Sequence, residues 1–291
     1  MHFRRCTSVL AMPAALLTMG AFVTNAFGAD AACRTSPYRS ARTRIIAHAS
    51  GTYFGPPNTV EMMRAAKQAG ADILDADVRT TKDGVLVASH DDEIRVDATT
   101  TVSIAHTNYA DLRRINLGAT WVGPNGNHPL ANQQVSVPTV DAILRAFPDN
   151  TVSLEFKTTG GEATMCNLLR KLGRTKNVYL GSAGDAAIDR FKPLCPEVTT
   201  TVTDAMVPIF LKAQADHMPW CAPVPIGQPP LRQGAFLLTK ASVDWEHAHG
   251  LAVFTWTADD KPTLEHVATL GVDAVYTARP DIARAVFSKR P

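Results

Sequence analysis

Short apolar, β-branched runs alternate along most of this chain with stretches whose apolar residues recur every three to four positions. The runs predict strands near Arg44–His48, Asp72–Val78, Thr151–Lys157, Asn177–Gly181, Val198–Val202, Ala222–Ile226, Leu251–Trp256 and Asp273–Thr277. Prolines crowd the sixth and make it the weakest. Helices fall between them. NTVEMMRAAKQAG carries Asn58 as a cap, Glu61 three residues on, and Gly70 as a stop. GGEATMCNLLRKLG follows the third strand, DDKPTLEHVATLG leads from a cap at Asp260 into the eighth, and RPDIARAVF comes last. A long excursion between Val85 and Ala146 holds a short VLVASHD strand, the helix-like YADLRRI, the loop GPNGNHPLANQQ and the helix TVDAILRAF. Strands alternating with helices mean an α/β protein with a parallel sheet. From residue 32 to residue 291, about 260 residues suit a single (β/α)8 TIM barrel. The pattern contains no second domain and no internal repeat.

The apolar rhythm breaks in GADILDADVRTTKDG, where Asp75 and Asp77 interrupt a strand. Residues two apart on a strand share a side, so the two carboxylates stand together. Glu155 and Lys157 repeat that spacing in VSLEFK; His48 ends the first strand, and His90 and Asp91 follow in VLVASHDD. In a parallel barrel the C-terminal strand ends open onto one face, so these groups converge. Each alone is ordinary, since a lone strand-end histidine is usually just hydrogen-bonded. Three carboxylates together repel unless a cation joins them. Asp75, Asp77 and Glu155 are therefore candidate ligands of a divalent ion, Ca²⁺ or Mg²⁺, which oxygen donors suit. His48 and His90 are candidates for acid–base work near neutral pH. With Lys157 they form a site suited to a phosphate ester.

The ordered motifs HASG, PPNT, GADILDADV, TKDG and SHD, followed by Arg95, VPTVDAIL, LEFK, VFTWT and GVDAVYTARP, resemble the glycerophosphodiester phosphodiesterase family. The resemblance spans nearly the whole chain after residue 31 and is strongest over residues 44–95. It implies a TIM barrel of the PLC-like phosphodiesterase type, a phosphoric diester hydrolase that releases sn-glycerol 3-phosphate and an alcohol. It implies His48 and His90 as catalytic residues, Asp75, Asp77 and Glu155 as metal ligands, and Lys157 near the phosphate. The partner it implies is a small glycerophosphodiester or lysophospholipid, reached in solution or at a membrane surface.

Three positions depart from the family pattern. Ala49 stands where an arginine follows the first histidine, Pro57 replaces a glutamate, and Asp75 is one methylene shorter than the usual glutamate. Without that arginine the site lacks a bidentate partner for the phosphate. Counting by two from Asp77 reaches Arg79, which is expected to take over phosphate binding. Trp256, at the end of the seventh strand, is expected to wall the pocket. Two alternatives stay open: a sphingomyelinase D-like phosphodiesterase acting on choline lipids, and a secreted barrel that binds without catalysis.

Composition narrows the setting. Apolar residues make up 45% of the chain and the formal net charge is +2, which gives no electrostatic case for nucleic acid. Arg4 and Arg5 precede the uncharged, apolar SVLAMPAALLTMGAFV and small residues up to Ala31, so residues 1–31 read as a secretory signal peptide and residues 32–291 as the exported barrel. Export to a secreted or periplasmic location lets Cys33, Cys166, Cys195 and Cys221 form up to two disulfides in any of three pairings. His106, His128, His217, His247, His249 and His266 are expected at the surface, and Asp273 at the opposite end of the barrel in a structural role. The sequence is silent on oligomeric state.

Overall fold

Eight parallel strands form where the apolar runs lie: β1 (Arg44–Ala47), β2 (Ile73–Thr80), β3 (Thr151–Phe156), β4 (Val178–Ser182), β5 (Thr199–Thr200), β6 (Ile226–Gly227), β7 (Ala252–Thr255) and β8 (Ala274–Thr277). The computed structural model describes residues 33–97, 99–234 and 236–288. The expected signal peptide lies outside the described residues. The strands pair in the order β5-β4-β3-β2-β1-β8-β7-β6. A parallel bridge between Thr201 and Ile226 joins the two ends into a ring. The sixth strand is reduced to two residues, as the prolines before it dictate.

Both faces of this ring are covered, so its strands read as unbroken apolar runs. Leu74, Ala76, Val78, Val152, Leu154 and Phe156 pack outward against the helices. Ile46, Ile73, Tyr179, Ile226, Phe254 and Tyr276 fill the interior. Each large apolar side chain buried this way contributes about 1.5–3 kcal/mol. Parallel pairing sets Asp75 beside Ser153 and Asp77 beside Glu155, all on the inner side.

The outer layer holds α1 (Val60–Gln68), α2 (Val140–Ala146), α3 (Glu162–Lys171), α4 (Asp185–Leu194), α5 (Met206–Ala215), α6 (Lys240–Ala248), α7 (Lys261–Leu270) and α8 (Pro280–Phe287). Asp260 caps α7 by accepting from the Thr263 N–H at 2.8 Å, and Gly271 ends it at φ 79°. Thr59, not Asn58, caps α1; its hydroxyl accepts from the Met62 N–H. In the excursion, Leu86–Ala88 pairs antiparallel with the end of β2. Val87, Ile94, Ile104, Leu112 and Val137 give the excursion its own small core.

At the N-terminal end of the barrel, Asp273 is fully buried and accepts from Arg39 Nε, the Ser40 and Val253 amides, and His247 Nε2, at 2.8–3.0 Å. Burial alone raises this carboxyl; His247 and the amides outweigh it and hold it below its ordinary value. His247 is therefore a largely buried partner of Asp273 and not the surface residue expected. Disulfides join Cys33 to Cys221 and Cys166 to Cys195, with Cα separations of 5.4 and 5.7 Å.

Candidate active site

At the opposite, C-terminal mouth a cavity of about 940 Å³ opens between the strand ends and the loops above them. His48, Asp75, His90, Glu155, Lys157 and Trp256 all line it. Asp77 lies just behind the wall, 3% exposed.

His48 begins the turn after β1, with its ring edge-on to Tyr276 at 6.3 Å. Burial holds its imidazole below its ordinary pKa, against the pull of Asp77 and Asp259. The loop that follows contains three non-glycine residues with positive φ: Ala49 (42°), Ser50 (72°) and Asn58 (59°). Such conformations cost of order 1–3 kcal/mol each and persist where surroundings fix them. Here Asp75 and Asp77 on β2 hold them. The Ala49 N–H donates to Asp75 Oδ2 at 3.0 Å, and the Ser50 hydroxyl donates to the Asp75 carbonyl. Asn58 clamps Asp77 from both sides: its Nδ2 donates to Asp77 Oδ2 at 2.8 Å, and the Asp77 N–H donates back to Asn58 Oδ1 at 2.9 Å.

Lys157 Nζ lies 3.0 Å from Asp77 Oδ1 and 2.8 Å from Glu155 Oε1. Burial pulls its ammonium down, but Asp77 and Glu155 outweigh that and keep it above its ordinary value. Asp75 sits one layer deeper, beside Ser153, whose hydroxyl joins those of Tyr276 and Tyr179 in a buried chain. Burial first, and the Asp77 charge second, push the Asp75 carboxyl well above the usual carboxylate range. His90 stands at the exposed rim with Nδ1 2.9 Å from Asp91 Oδ1.

Arg79 departs from expectation. It does not line the cavity; its Nε and Nη2 both donate to the His90 carbonyl, at 3.0 and 2.7 Å. The reason is local: β2 runs on to Thr80 and pairs Arg79 with Val87, which brings the His90 turn within reach of the guanidinium. Trp256 lines the cavity, with Nε1 donating to the Gln228 carbonyl at 2.8 Å.

The donor set suits a hard cation. Asp77 and Glu155 already hold one positive group, the Lys157 ammonium, between their oxygens. The oxygens of Asp75, Asp77 and Glu155 are not all within 4.8 Å of one another. Among the described residues the one cluster that meets that spacing is Cys166, Cys195 and Glu197, whose sulfurs are joined in a disulfide. Sequence reasoning missed Asn58 as the clamp on Asp77, and Ser153, Tyr276 and Gln228 as polar members of the interior. Counting two residues back from Glu155 would have found Ser153.

The C-terminal mouth gathers two histidines, three carboxylates and a lysine, a set suited to a phosphoric diester hydrolase, and the family match gives that class. The chain belongs to the glycerophosphoryl diester phosphodiesterase family, whose model matches residues 48–282. It is 26% identical over 255 residues to a Mycobacterium tuberculosis protein named "Probable glycerophosphodiester phosphodiesterase 2", covering 84% of this chain and 90% of that one. Its fold is similar to the glycerophosphoryl diester phosphodiesterase domain of another M. tuberculosis protein, with TM-score 0.74, 20% identity, and 84% and 98% of the two chains covered. It is also similar to an Oleispira antarctica phosphodiesterase solved with the product sn-glycerol-3-phosphate, with TM-score 0.67, 20% identity, and 85% and 97% covered. The comparisons favour neither the sphingomyelinase D-like nor the non-catalytic alternative.

Proposed function

We propose that this protein hydrolyses glycerophosphodiesters to sn-glycerol 3-phosphate and an alcohol by paired histidine acid–base catalysis. The observation that carries the proposal is the arrival of His48, His90, Glu155 and Lys157 on one cavity at the mouth of the barrel. His48, kept neutral by burial, is the base. It takes the proton of the substrate's own glycerol hydroxyl, whose oxygen forms a bond to phosphorus. The bond from phosphorus to the leaving alcohol breaks, and His90, held at the rim by Asp91, supplies the proton. Water then opens the cyclic phosphate with the histidines in exchanged roles. Lys157 places positive charge beside the phosphate oxygens as negative charge builds on them. Asp77 and Glu155, with Asp75 behind them, would hold a divalent cation, Ca²⁺ or Mg²⁺, which when bound neutralises phosphate charge. Paired cysteines support export to an oxidising compartment.

The test is release of glycerol 3-phosphate from glycerophosphocholine, with and without chelator. Turnover that chelator abolishes, that added Ca²⁺ or Mg²⁺ restores, and that His48→Ala and His90→Ala each lower by at least about a hundredfold is the expected result. A folded protein that releases no glycerol 3-phosphate from any glycerophosphodiester in the presence of either ion refutes the assignment.

A further inference from the structure

Among the buried acids of the described residues, Glu246 alone is without a partner. Asp75, Asp77, Glu162 and Asp273 each accept at least one hydrogen bond. The carboxyl of Glu246 receives none, although the residue is only 4% exposed. Leaving a polar group buried and unpaired is costly. Its surroundings are built around it. Ile226 and Gln228 turn into the barrel, where Ile226 joins the interior core and Gln228 donates to the Tyr276 hydroxyl. Gly227 between them therefore faces outward, toward α6. A Cβ on Gly227 would stand 2.7 Å from Glu246 Oε2, so the carboxyl occupies the room that the glycine leaves. Glu246 also lines the large cavity, together with Gly227, Leu251, and Val207, Phe210 and Leu211 of α5. The cavity thus continues past the seam of β5 and β6, closed by the Thr201–Ile226 bridge, into a cleft between α5 and α6. Phe210 packs edge-on against Trp245 of α6 at 4.9 Å and ties the two helices together.

The cleft has an acid at its base and apolar side chains along its walls. Burial, and then the negative charge of Asp273, push that acid up to about 8, and a positive group beside it would offset both. A metal ion does not fit the description: one carboxyl is too few, and no metal-spaced group among the described residues includes Glu246. A primary ammonium brings both the charge and three N–H donors, whereas a quaternary ammonium brings no donor. We propose that the cleft between α5 and α6 binds a small primary amine in its ammonium form, the nitrogen donating to Glu246 and the apolar body lying against Val207, Leu211 and Leu251. The site lies on the outer side of β6, apart from Lys157 and the two histidines, and does not rest on the phosphodiesterase reading.

The experiment is calorimetric titration of the full chain with hexylammonium, 1-hexanol, hexyltrimethylammonium and a capped lysine amide. Hexylammonium is expected to bind at least about tenfold more tightly than hexanol or the trimethyl compound, since each of these lacks the charge or the donors. Shortening the alkyl body from hexyl to propyl should weaken binding roughly fourfold per methylene. Glu246→Gln should lower affinity for hexylammonium about tenfold or more and leave hexanol unchanged. Leu211→Trp fills the cleft from a position that is 46% exposed and leaves Glu246 untouched; it should also weaken hexylammonium about tenfold, and it decides the matter if Glu246→Gln fails to fold. Absence of binding up to about 10 mM hexylammonium overturns the proposal. Equal binding of hexanol overturns it as well, because the cleft is then merely apolar, and equal binding of the trimethyl compound removes the hydrogen bond to Glu246. Tighter binding of the capped lysine than of hexylammonium would make the occupant a protein side chain and overturn the assignment to a small amine.

Discussion

Asn58 is the residue whose replacement should be felt most widely around the site. It is 1% exposed, adopts φ 59°, and makes two hydrogen bonds to Asp77. Replacing it by glycine keeps the backbone at ease but removes both bonds. The bond from the amide to the carboxylate is charge-assisted and contributes about 1.5–3 kcal/mol. The buried Asp77 N–H, left without its acceptor, costs about 1–3 kcal/mol more. Asn58→Gly should therefore destabilise by roughly 3–5 kcal/mol, a fall in Tm of about 10 °C for a chain of this size. Asn58→Ala should cost a further 1–2 kcal/mol or so, because alanine has a Cβ that the left-handed region disfavours. Asn58→Asp keeps the acceptor but sets a second carboxylate against Asp77. Thermal unfolding of the three variants, with kcat/KM on glycerophosphocholine, reads both consequences. Activity should fall about a hundredfold in each, since Asp77 positions Lys157. An Asn58→Gly protein within 2 °C or so of wild type and still fully active would show that the clamp does not hold Asp77, and the energy argument would fail.

Three other outcomes are expected. Arg79→Gln should lower kcat about tenfold with KM little changed, because it loosens the His90 turn; a raised KM with kcat intact would instead make Arg79 a phosphate ligand. Glu246, buried where α6 packs on the sixth strand, is pushed by burial and then by the Asp273 charge up to about 8. A raised carboxyl favours the folded state in its protonated form, so that contribution is complete below the unfolded pKa near 4.5 and is lost as pH rises through 8. Urea unfolding from pH 5 to pH 9 should show a decline of roughly 4 kcal/mol that Glu246→Gln flattens. Opening the 29-residue span between Cys166 and Cys195 by Cys166→Ser/Cys195→Ser should cost roughly 3.5 kcal/mol, read as a lower urea midpoint with unchanged far-UV circular dichroism.

The barrel was legible because its strands are buried on both faces and its helices carry their own caps, as Asp260 shows. The polar cluster was legible because period-two spacing is exact along a strand, and the register confirms Asp77 beside Glu155. What escaped were contacts set by loops. Asn58 precedes a helix and has the right chemistry for a cap, yet Thr59 took that role and left the amide for Asp77. His247 sits on a helix that reads as exposed, and only tertiary packing brings it to Asp273, 26 positions along the chain. Phe210 of α5 likewise docks on Trp220 and Trp245, a tertiary contact that MVPIFLKAQA alone does not reveal.

The run of charges on β2 is explained by depth. Asp75, Asp77 and Arg79 share one side of the strand, but each step of two residues climbs about 6.5–7 Å toward the mouth. At the lowest level Asp75 meets the Ala49 amide and the Ser153 hydroxyl, where burial favours the protonated acid. One level up, Asp77 meets Lys157 and Asn58, partners that stabilise a carboxylate. At the rim, Arg79 passes beyond the cavity and binds the carbonyl of His90. The shorter side chain of Asp75 belongs to this gradient. A glutamate there would reach about one methylene closer to Lys157, whereas the aspartate stays under the loop and spends an oxygen on Ala49. Positions 49 and 75 are in direct contact, since the Ala49 amide donates to the Asp75 carboxylate, so changes at the two are expected to interact. Restoring the pair, Ala49→Arg with Asp75→Glu, should recover more phosphate affinity than the two single changes combined, measured as inhibition by glycerol 3-phosphate; simple additivity would uncouple the two positions.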